Sequence, residues 1–108
     1  MAHPDVDVVG SFEEQVLVGI LRTGREAYGM AVRREIEEVA GREVAIGAVY
    51  ATLDRLEAKR LVASERGAGA GARRLFTVTA AGLKALARTR DARERLWSGI
   101  DLAAFGRT

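Results

Sequence analysis

Alternating glycine and alanine residues at 67–72 separate two short segments that favour extended backbone. The segments are 61–66 and 73–78, and their Val, Thr and Phe residues suit a pleated sheet. Because glycine permits the tight turn between them, the pattern predicts a β-hairpin whose glycine-rich tip is bounded on both sides by arginine. Any fold of this chain must therefore place a two-stranded hairpin among helical segments.

Two segments of the N-terminal half have apolar residues at helical spacing. The first predicts a helix over about 12–22, beginning with a capping box formed by Ser11 and Glu14. The second predicts a helix that ends at Gly41, because glycine adopts the left-handed backbone of a helix C-terminus at little cost. The apolar face of the second helix carries Val32, Ile36 and Val39.

A third helical pattern, residues 46–60, lies directly before the hairpin. One side is an apolar seam, and the other carries short side chains that would let the helix approach another surface closely. This profile suits a recognition helix that enters a DNA major groove. The seam consists of Ile46, Val49, Tyr50, Leu53 and Leu56, and the opposite side of Ala48, Ala51, Thr52 and Arg55.

A fourth helix is expected after the hairpin, capped by Thr79 and running to about Ile100. The order helix, helix, helix, hairpin, helix with short connections matches a winged helix-turn-helix. The predicted class is therefore mainly α with a small β-hairpin. We divide the chain into a flexible N-terminus, 1–10, the winged domain, 11–78, and a C-terminal helix and tail, 79–108.

The composition excludes several classes of function. A chain of 108 residues with 48% hydrophobic content supplies one modest core. The absence of cysteine excludes a disulfide framework and a thiolate metal site, and the single histidine, His3, offers no metal site or general base. Residues 1–10 contain no signal peptide or membrane segment. We therefore expect a soluble cytoplasmic protein that has no metal, no cofactor and no catalytic activity.

The charge of the chain is unevenly distributed. Residues 55–95 contain eleven Lys/Arg against four Asp/Glu, a net charge of +7, which leaves −5 for the rest because the whole chain carries +2. A concentrated basic surface attracts phosphate backbones, although charge alone would suit RNA or a membrane surface equally well.

Three segments, in the same order along the chain, resemble the PadR family of bacterial transcriptional regulators. They are Tyr28-Gly29-Met30, residues 46–57 (IGAVYATLDRLE) and residues 73–82 (RRLFTVTAAG), within a resemblance that covers about 12–86. It implies a homodimeric repressor of double-stranded DNA, in which the third helix enters the major groove and the wing touches the backbone. It also implies that the last helix crosses to the partner subunit.

The resemblance also indicates which residues contact DNA. It places Gly47, Ala48 and Thr52 on the side of the third helix that faces the groove, and Arg73 and Arg74 at the basic end of the wing. Because these two arginines point to opposite faces of a strand, we expect one to face DNA and the other to pair with an acidic neighbour.

Four further residues have two interpretations each. Tyr50 could bring its hydroxyl to a phosphate or only to water, and Tyr28 could contact DNA or pack beneath the wing. Arg55 and Lys59 have the spacing of a solvated helix face, but the neighbouring wing arginines favour phosphate contact.

We expect the dimer interface on the first helix and on the last, which the resemblance implies crosses to the partner subunit. The residues expected there are Phe12, Val16, Leu83, Leu86, Leu96, Trp97 and Ile100. In some family members a tryptophan of the last helix stacks on flat hydrophobic compounds, which makes Trp97 a candidate ligand residue and a small hydrophobic molecule a candidate effector. The alternative function is a winged helix that binds only another protein, and the weakly polar face of the third helix supports it.

Overall fold

The computed structural model of the chain describes residues 8–67 and 72–106. The observed order of elements confirms the predicted class, a mainly helical protein with one antiparallel hairpin. Three helices precede the hairpin: α1 (Ser11–Thr23, followed by a 3₁₀ turn at Gly24–Glu26), α2 (Gly29–Ala40) and α3 (Ile46–Ala58). The hairpin consists of β1 (Val62–Arg66) and β2 (Arg74–Val78), and two helices come after it, α4 (Ala80–Trp97) and the short α5 (Leu102–Gly106).

The start of α1 differs from the prediction. Gly10 is the N-cap, and its N–H donates to Oε1 of Glu13 at 3.0 Å, so the predicted box of Ser11 and Glu14 is wrong. Ser11 is already helical, and Glu14 instead pairs with Arg93 of α4.

The segment before α1 is held against α4. Val9 is buried, and its N–H donates to Oγ1 of the buried Thr89 at 3.0 Å. Of the N-terminus predicted to be flexible, Val9 is therefore packed rather than loose, whereas residues 1–7, which include His3, lie outside the described residues.

The core is formed by the inner faces of α1, α2 and α3 and by the base of the hairpin. Val16 lies fully within this core, so its expected place in a dimer interface is wrong. Val39, predicted on the buried face of α2, is 60% exposed because it lies in the last turn, beyond the reach of the core. The largest fully buried side chains are Phe76, Leu17, Leu53, Leu56, Val16, Val32, Val49 and Val62.

The connection between α2 and α3 is fixed by one carboxylate. Gly41 ends α2 with the predicted left-handed backbone, at φ 69°. Glu37 then accepts the backbone N–H of Val44 at 2.8 Å, and Arg33 donates to the same carboxylate. These bonds hold the short turn of the helix-turn-helix, and the bond from Val44 lowers the pKa of Glu37 below its ordinary value.

The hairpin pairs β1 with β2 in antiparallel register, with Val62 opposite Val78 and Arg66 opposite Arg74. Phe76 is buried, and its N–H donates to the carbonyl of Ala27 at 2.9 Å, which ties β2 to the loop before α2. Of the predicted wing tip, 67–72, residues 68–71 lie outside the described residues.

The first turn of α4 packs tightly against the hairpin base. Thr79 caps the helix as predicted, because its Oγ1 accepts the N–H of Gly82 at 3.0 Å. The helix ends at Trp97 rather than at the predicted Ile100. Two residues beyond that end, Gly99 turns the chain with φ +81°.

The C-terminal half of α4 and α5 project from the body. The radius of gyration is 16.2 Å, against about 13 Å for a compact chain of this length. Within residues 8–67 and 72–106, no helix has both the length and the apolar content needed to cross a membrane.

Candidate nucleic-acid interface

Helix α3 presents three different stripes along its length. Val49, Leu53 and Leu56 form the buried stripe. An open stripe faces solvent and consists of Gly47, Ala48, Ala51 and Arg55. A third stripe, with spacings of four and three residues, carries Tyr50, Asp54 and Glu57 and contacts the start of α2 and the hairpin.

Thr52 does not lie on the open stripe, and its predicted contact with DNA bases is wrong. Its side chain is 2% exposed and belongs to the buried stripe. The Oγ1 atom accepts a hydrogen bond from Nη2 of Arg55 at 3.1 Å, so the hydroxyl steadies the one long side chain of the open stripe.

Tyr50 leaves the apolar seam and lies across the start of α2. A Cβ atom added to Gly29 would stand 2.3 Å from Cζ of Tyr50 and 2.5 Å from its hydroxyl oxygen, so the ring fits only because residue 29 is glycine. The ring remains 40% exposed. Its hydroxyl therefore lies close to the backbone of Gly29, in the first turn of α2.

Tyr28, the N-cap of α2, contacts two arginines, one from α2 and one from the wing. The guanidinium of Arg73 lies 3.9 Å from the ring centroid, and Nη2 of Arg34 donates to the hydroxyl oxygen at 2.8 Å. The hydrogen bond from Arg34 lowers the pKa of Tyr28 below its ordinary value. The result is a cationic cluster of Tyr28, Arg34 and Arg73 that adjoins Gly29 and the ring of Tyr50.

Arg74 turns to the opposite side of β2. It pairs with Glu57 and with Asp54 of α3, which confirms the prediction that one wing arginine pairs with an acidic neighbour. The expected contact of Arg74 with DNA is not supported by this geometry, because its guanidinium is already bound by two carboxylates.

The two basic residues expected on one face of α3, Arg55 and Lys59, have different surroundings. Arg55 is exposed on the open stripe. Lys59, the C-cap of α3, forms an ion pair with Glu13 of α1 at 2.8 Å, so its ammonium group holds two helices together.

Two residues of this surface were not predicted from the sequence. The helical spacing indicates only that Arg34 lies on the polar face of α2, whereas its side chain reaches back six residues to Tyr28. Gly29 belongs to a motif of the family resemblance, and its role is to make room for the ring of Tyr50.

The residues expected in a dimer interface divide by burial. Phe12 and Leu86 are partly buried against the monomer core. Leu83, Leu96, Trp97 and Ile100 are exposed, as are Leu102 and Phe105 of α5.

The helices α2 and α3 form a helix-turn-helix, α3 carries an open stripe, and the hairpin follows it. This arrangement defines a winged helix-turn-helix protein. The model of the transcriptional regulator PadR-like family matches residues 17–88, and the chain belongs to this family. Its members are transcriptional regulators rather than enzymes.

Solved structures of similar fold come from archaea and bacteria. RosR of H. salinarum, in the hsRosR-S1 complex, is 26% identical, with 89% of this chain and 82% of that chain covered at a TM-score of 0.67. A PadR-like regulator from Bacillus cereus is 19% identical over 89% of this chain and 93% of its own, at a TM-score of 0.71. A PadR-like transcription factor from Bacteroides fragilis is 21% identical, with 76% of this chain and 81% of that chain covered at a TM-score of 0.65. No curated protein matches the chain.

Proposed function

We propose that this protein is a homodimeric transcriptional repressor that reads a two-fold symmetric DNA operator with α3 and the wing. The observation that carries the proposal is the convergence of Tyr28, Arg34 and Arg73 next to Gly29, against which the ring of Tyr50 from α3 packs. The start of α2 and the wing, two segments far apart in the chain, together bring phosphate-binding groups close to α3. Such a surface fits a duplex, whose backbone runs beside each groove.

The cluster is suited to bind a phosphate of the DNA backbone. Because Arg34 donates to the hydroxyl oxygen of Tyr28, the phenolic proton stays available for a phosphate oxygen. A guanidinium stacked on a ring keeps its in-plane N–H donors, so Arg73 can contact the same anion. The hydroxyl of Tyr50, near the positive end of α2, adds a third donor.

The open stripe of α3 is suited to enter the major groove. Gly47, Ala48 and Ala51 bring little beyond a methyl group, so the helix backbone can approach the bases closely. Alanine methyls contact thymine methyls, and Arg55 is the side chain of the stripe that reaches a guanine edge. Specificity then depends on few contacts per subunit, and a dimer doubles them across half-sites about 34 Å apart.

Dimerisation is assigned to residues 79–108. Leu96, which is 77% exposed, and the exposed apolar residues of α5 lie on the segment that projects from the body. A second copy would cover this surface, which water disfavours. Trp97, half-exposed on the same segment, would then lie between subunits, where a flat hydrophobic effector could stack on it and release the repressor.

The test is a titration of the purified protein with the duplex upstream of its own gene and with a random duplex, at several salt concentrations. We expect binding that weakens steeply with salt. Arg73→Ala should weaken both complexes and reduce the salt slope by about one, whereas Tyr28→Phe should weaken both without changing the slope. The matched control is Arg22→Ala, which removes an arginine of α1 that pairs with Glu35 of α2, away from the cluster. This variant should bind as the wild type does.

Binding that is absent or insensitive to salt would contradict the proposal and favour a protein-interaction module. The effector is tested separately with a flat polycyclic compound that the DNA itself repels, such as the anion 1-pyrenesulfonate. Trp97 is the only tryptophan, so quenching of its fluorescence by the compound, with release of DNA, is the expected result. DNA release without quenching would contradict the assignment of Trp97.

A further inference from the structure

Arg74 of β2 is the centre of a closed ring of hydrogen bonds. Its Nη2 donates to Oε1 of Glu57, and its Nε donates to Oγ of Ser64 at 3.1 Å. The Ser64 hydroxyl in turn donates to the other carboxylate oxygen of Glu57 at 2.8 Å, which closes the ring. Nη1 of Arg74 also donates to Asp54 at 3.2 Å. The ring therefore joins both strands of the hairpin to α3.

The position of this ring along the hairpin decides what it can do. Val62 anchors the base of the hairpin in the core, and Phe76, opposite Ser64, anchors its middle. In the ladder, Arg74 lies opposite Arg66 at the end next to the glycine-rich tip. A two-stranded ribbon held at its base and middle can still bend and twist at its far end, whereas attachment of that end to α3 fixes its direction.

The guanidinium of Arg74 is itself held in place. It stacks 4.8 Å from the centroid of the Phe76 ring, which is buried in the core. The side chains of Arg74 and Glu57 are each 33% exposed, so water competes for them less than for a fully solvated pair. The hydrogen bond from Ser64 lowers the pKa of Glu57, and the carboxylate therefore stays charged at neutral pH.

We propose that the ring of Arg74, Glu57 and Ser64 is a latch that sets the angle between the wing and α3, which makes Arg74 a positioning residue for DNA binding rather than a DNA contact. The inference rests on the proposed function for its consequence. The adjacent Arg73 contacts Tyr28 on the other side of the strand, so its reach to a phosphate depends on the angle that the latch fixes.

The latch is first tested without DNA. Residual dipolar couplings of backbone amides report the orientation of the hairpin relative to α3 in the free protein. In Arg74→Gln and in Glu57→Gln, the couplings of the hairpin should shrink relative to those of α3. Glu65→Gln, which removes the same charge from an exposed position of β1, is the matched control and should leave them unchanged. Unchanged hairpin couplings in both latch variants would overturn the proposal.

The second arm is the duplex titration. The latch predicts that Arg74→Gln and Glu57→Gln each weaken binding to the upstream duplex by on the order of tenfold and reduce the salt slope alike, because Arg73 loses its reach to the phosphate in both variants. If Arg74 itself contacted a phosphate, only Arg74→Gln would reduce the slope, and Glu57→Gln would tighten binding by removing a negative charge. Either result overturns the proposal. If the wild type binds no duplex, the proposed function fails, while the dipolar couplings still decide whether the latch exists.

Discussion

Replacing Gly82 with alanine tests how closely α4 approaches the hairpin. An added Cβ would lie 2.2 Å from the carbonyl oxygen of Leu61 and 2.7 Å from Cγ1 of Val78, where ordinary contact begins at 3.4 Å. The nearest atom belongs to the backbone, so no side-chain rotation relieves the clash. The helix and the start of β1 would have to separate by about 1.2 Å, the difference between 3.4 Å and 2.2 Å.

The cost depends on what that separation disturbs. Overpacking of this kind costs about 1–3 kcal/mol. The carbonyl of Leu61 also accepts the N–H of Thr79 at 3.0 Å, and its loss adds about 1 kcal/mol. The better helix propensity of alanine offsets up to about 1 kcal/mol of this loss of stability. We therefore expect Gly82→Ala to lower the free energy of unfolding by about 1–4 kcal/mol and Tm by at least about 4 °C.

The assay is thermal unfolding followed by circular dichroism at one protein concentration. Gly47→Ala is the matched control, because residue 47 is also a helical glycine and nothing lies within 4 Å of its added Cβ. Its Tm should be unchanged or a few degrees higher. If Gly82→Ala unfolds within about 2 °C of the wild type, α4 does not pack on β1 as described.

Three further results are expected. Thr52→Val keeps the buried volume and removes the hydroxyl that steadies Arg55, so in an Arg55→Ala background it should leave the preference among operator variants unchanged; an altered preference in that background would restore Thr52 as a base contact. The folded pKa of Glu37 lies below its ordinary value of 4.5, so its stabilising contribution is present above that pH and is lost as the pH falls through the lowered pKa. Tm should therefore drop on acidification below about pH 4, more in the wild type than in Glu37→Gln; equal drops would contradict the role of Glu37. Leu96→Glu should convert the proposed dimer to monomers in light scattering, and an unchanged mass would remove Leu96 from the proposed interface.

The sequence predicted the elements of the fold because their signals are local. The Gly-Ala run, the caps at Gly41 and Thr79 and the helical spacing each act within a few residues. Gly99 was not recognised as the end of α4, because the apolar residues at 96, 97 and 100 continue the helical pattern beyond it.

The stripes of α3 were harder to predict than its bounds. Positions 49, 52, 53 and 56 and positions 46, 49, 50 and 53 both have the spacing of an apolar stripe, so residue type alone favoured Tyr50 over Thr52 for the interior. In the structure Thr52 is buried and Tyr50 is exposed, because Gly29 on another helix makes room for the Tyr50 ring outside the core. Such a long-range fit leaves no periodic signal.

Partnerships among charged residues were likewise predicted only in part. Strand alternation correctly separated Arg73 from Arg74, but it could not say which one faces α3. Lys59 was expected at a phosphate, and its pairing with Glu13 joins residues 46 positions apart. These contacts depend on tertiary packing and not on local pattern.

The most direct test of the account is to map the DNA-binding surface by backbone chemical shifts during titration with the duplex upstream of the gene. The account predicts that the largest changes cluster at Tyr28, Gly47, Ala48, Ala51 and Arg73. Changes concentrated on α1, or along α4, would contradict it.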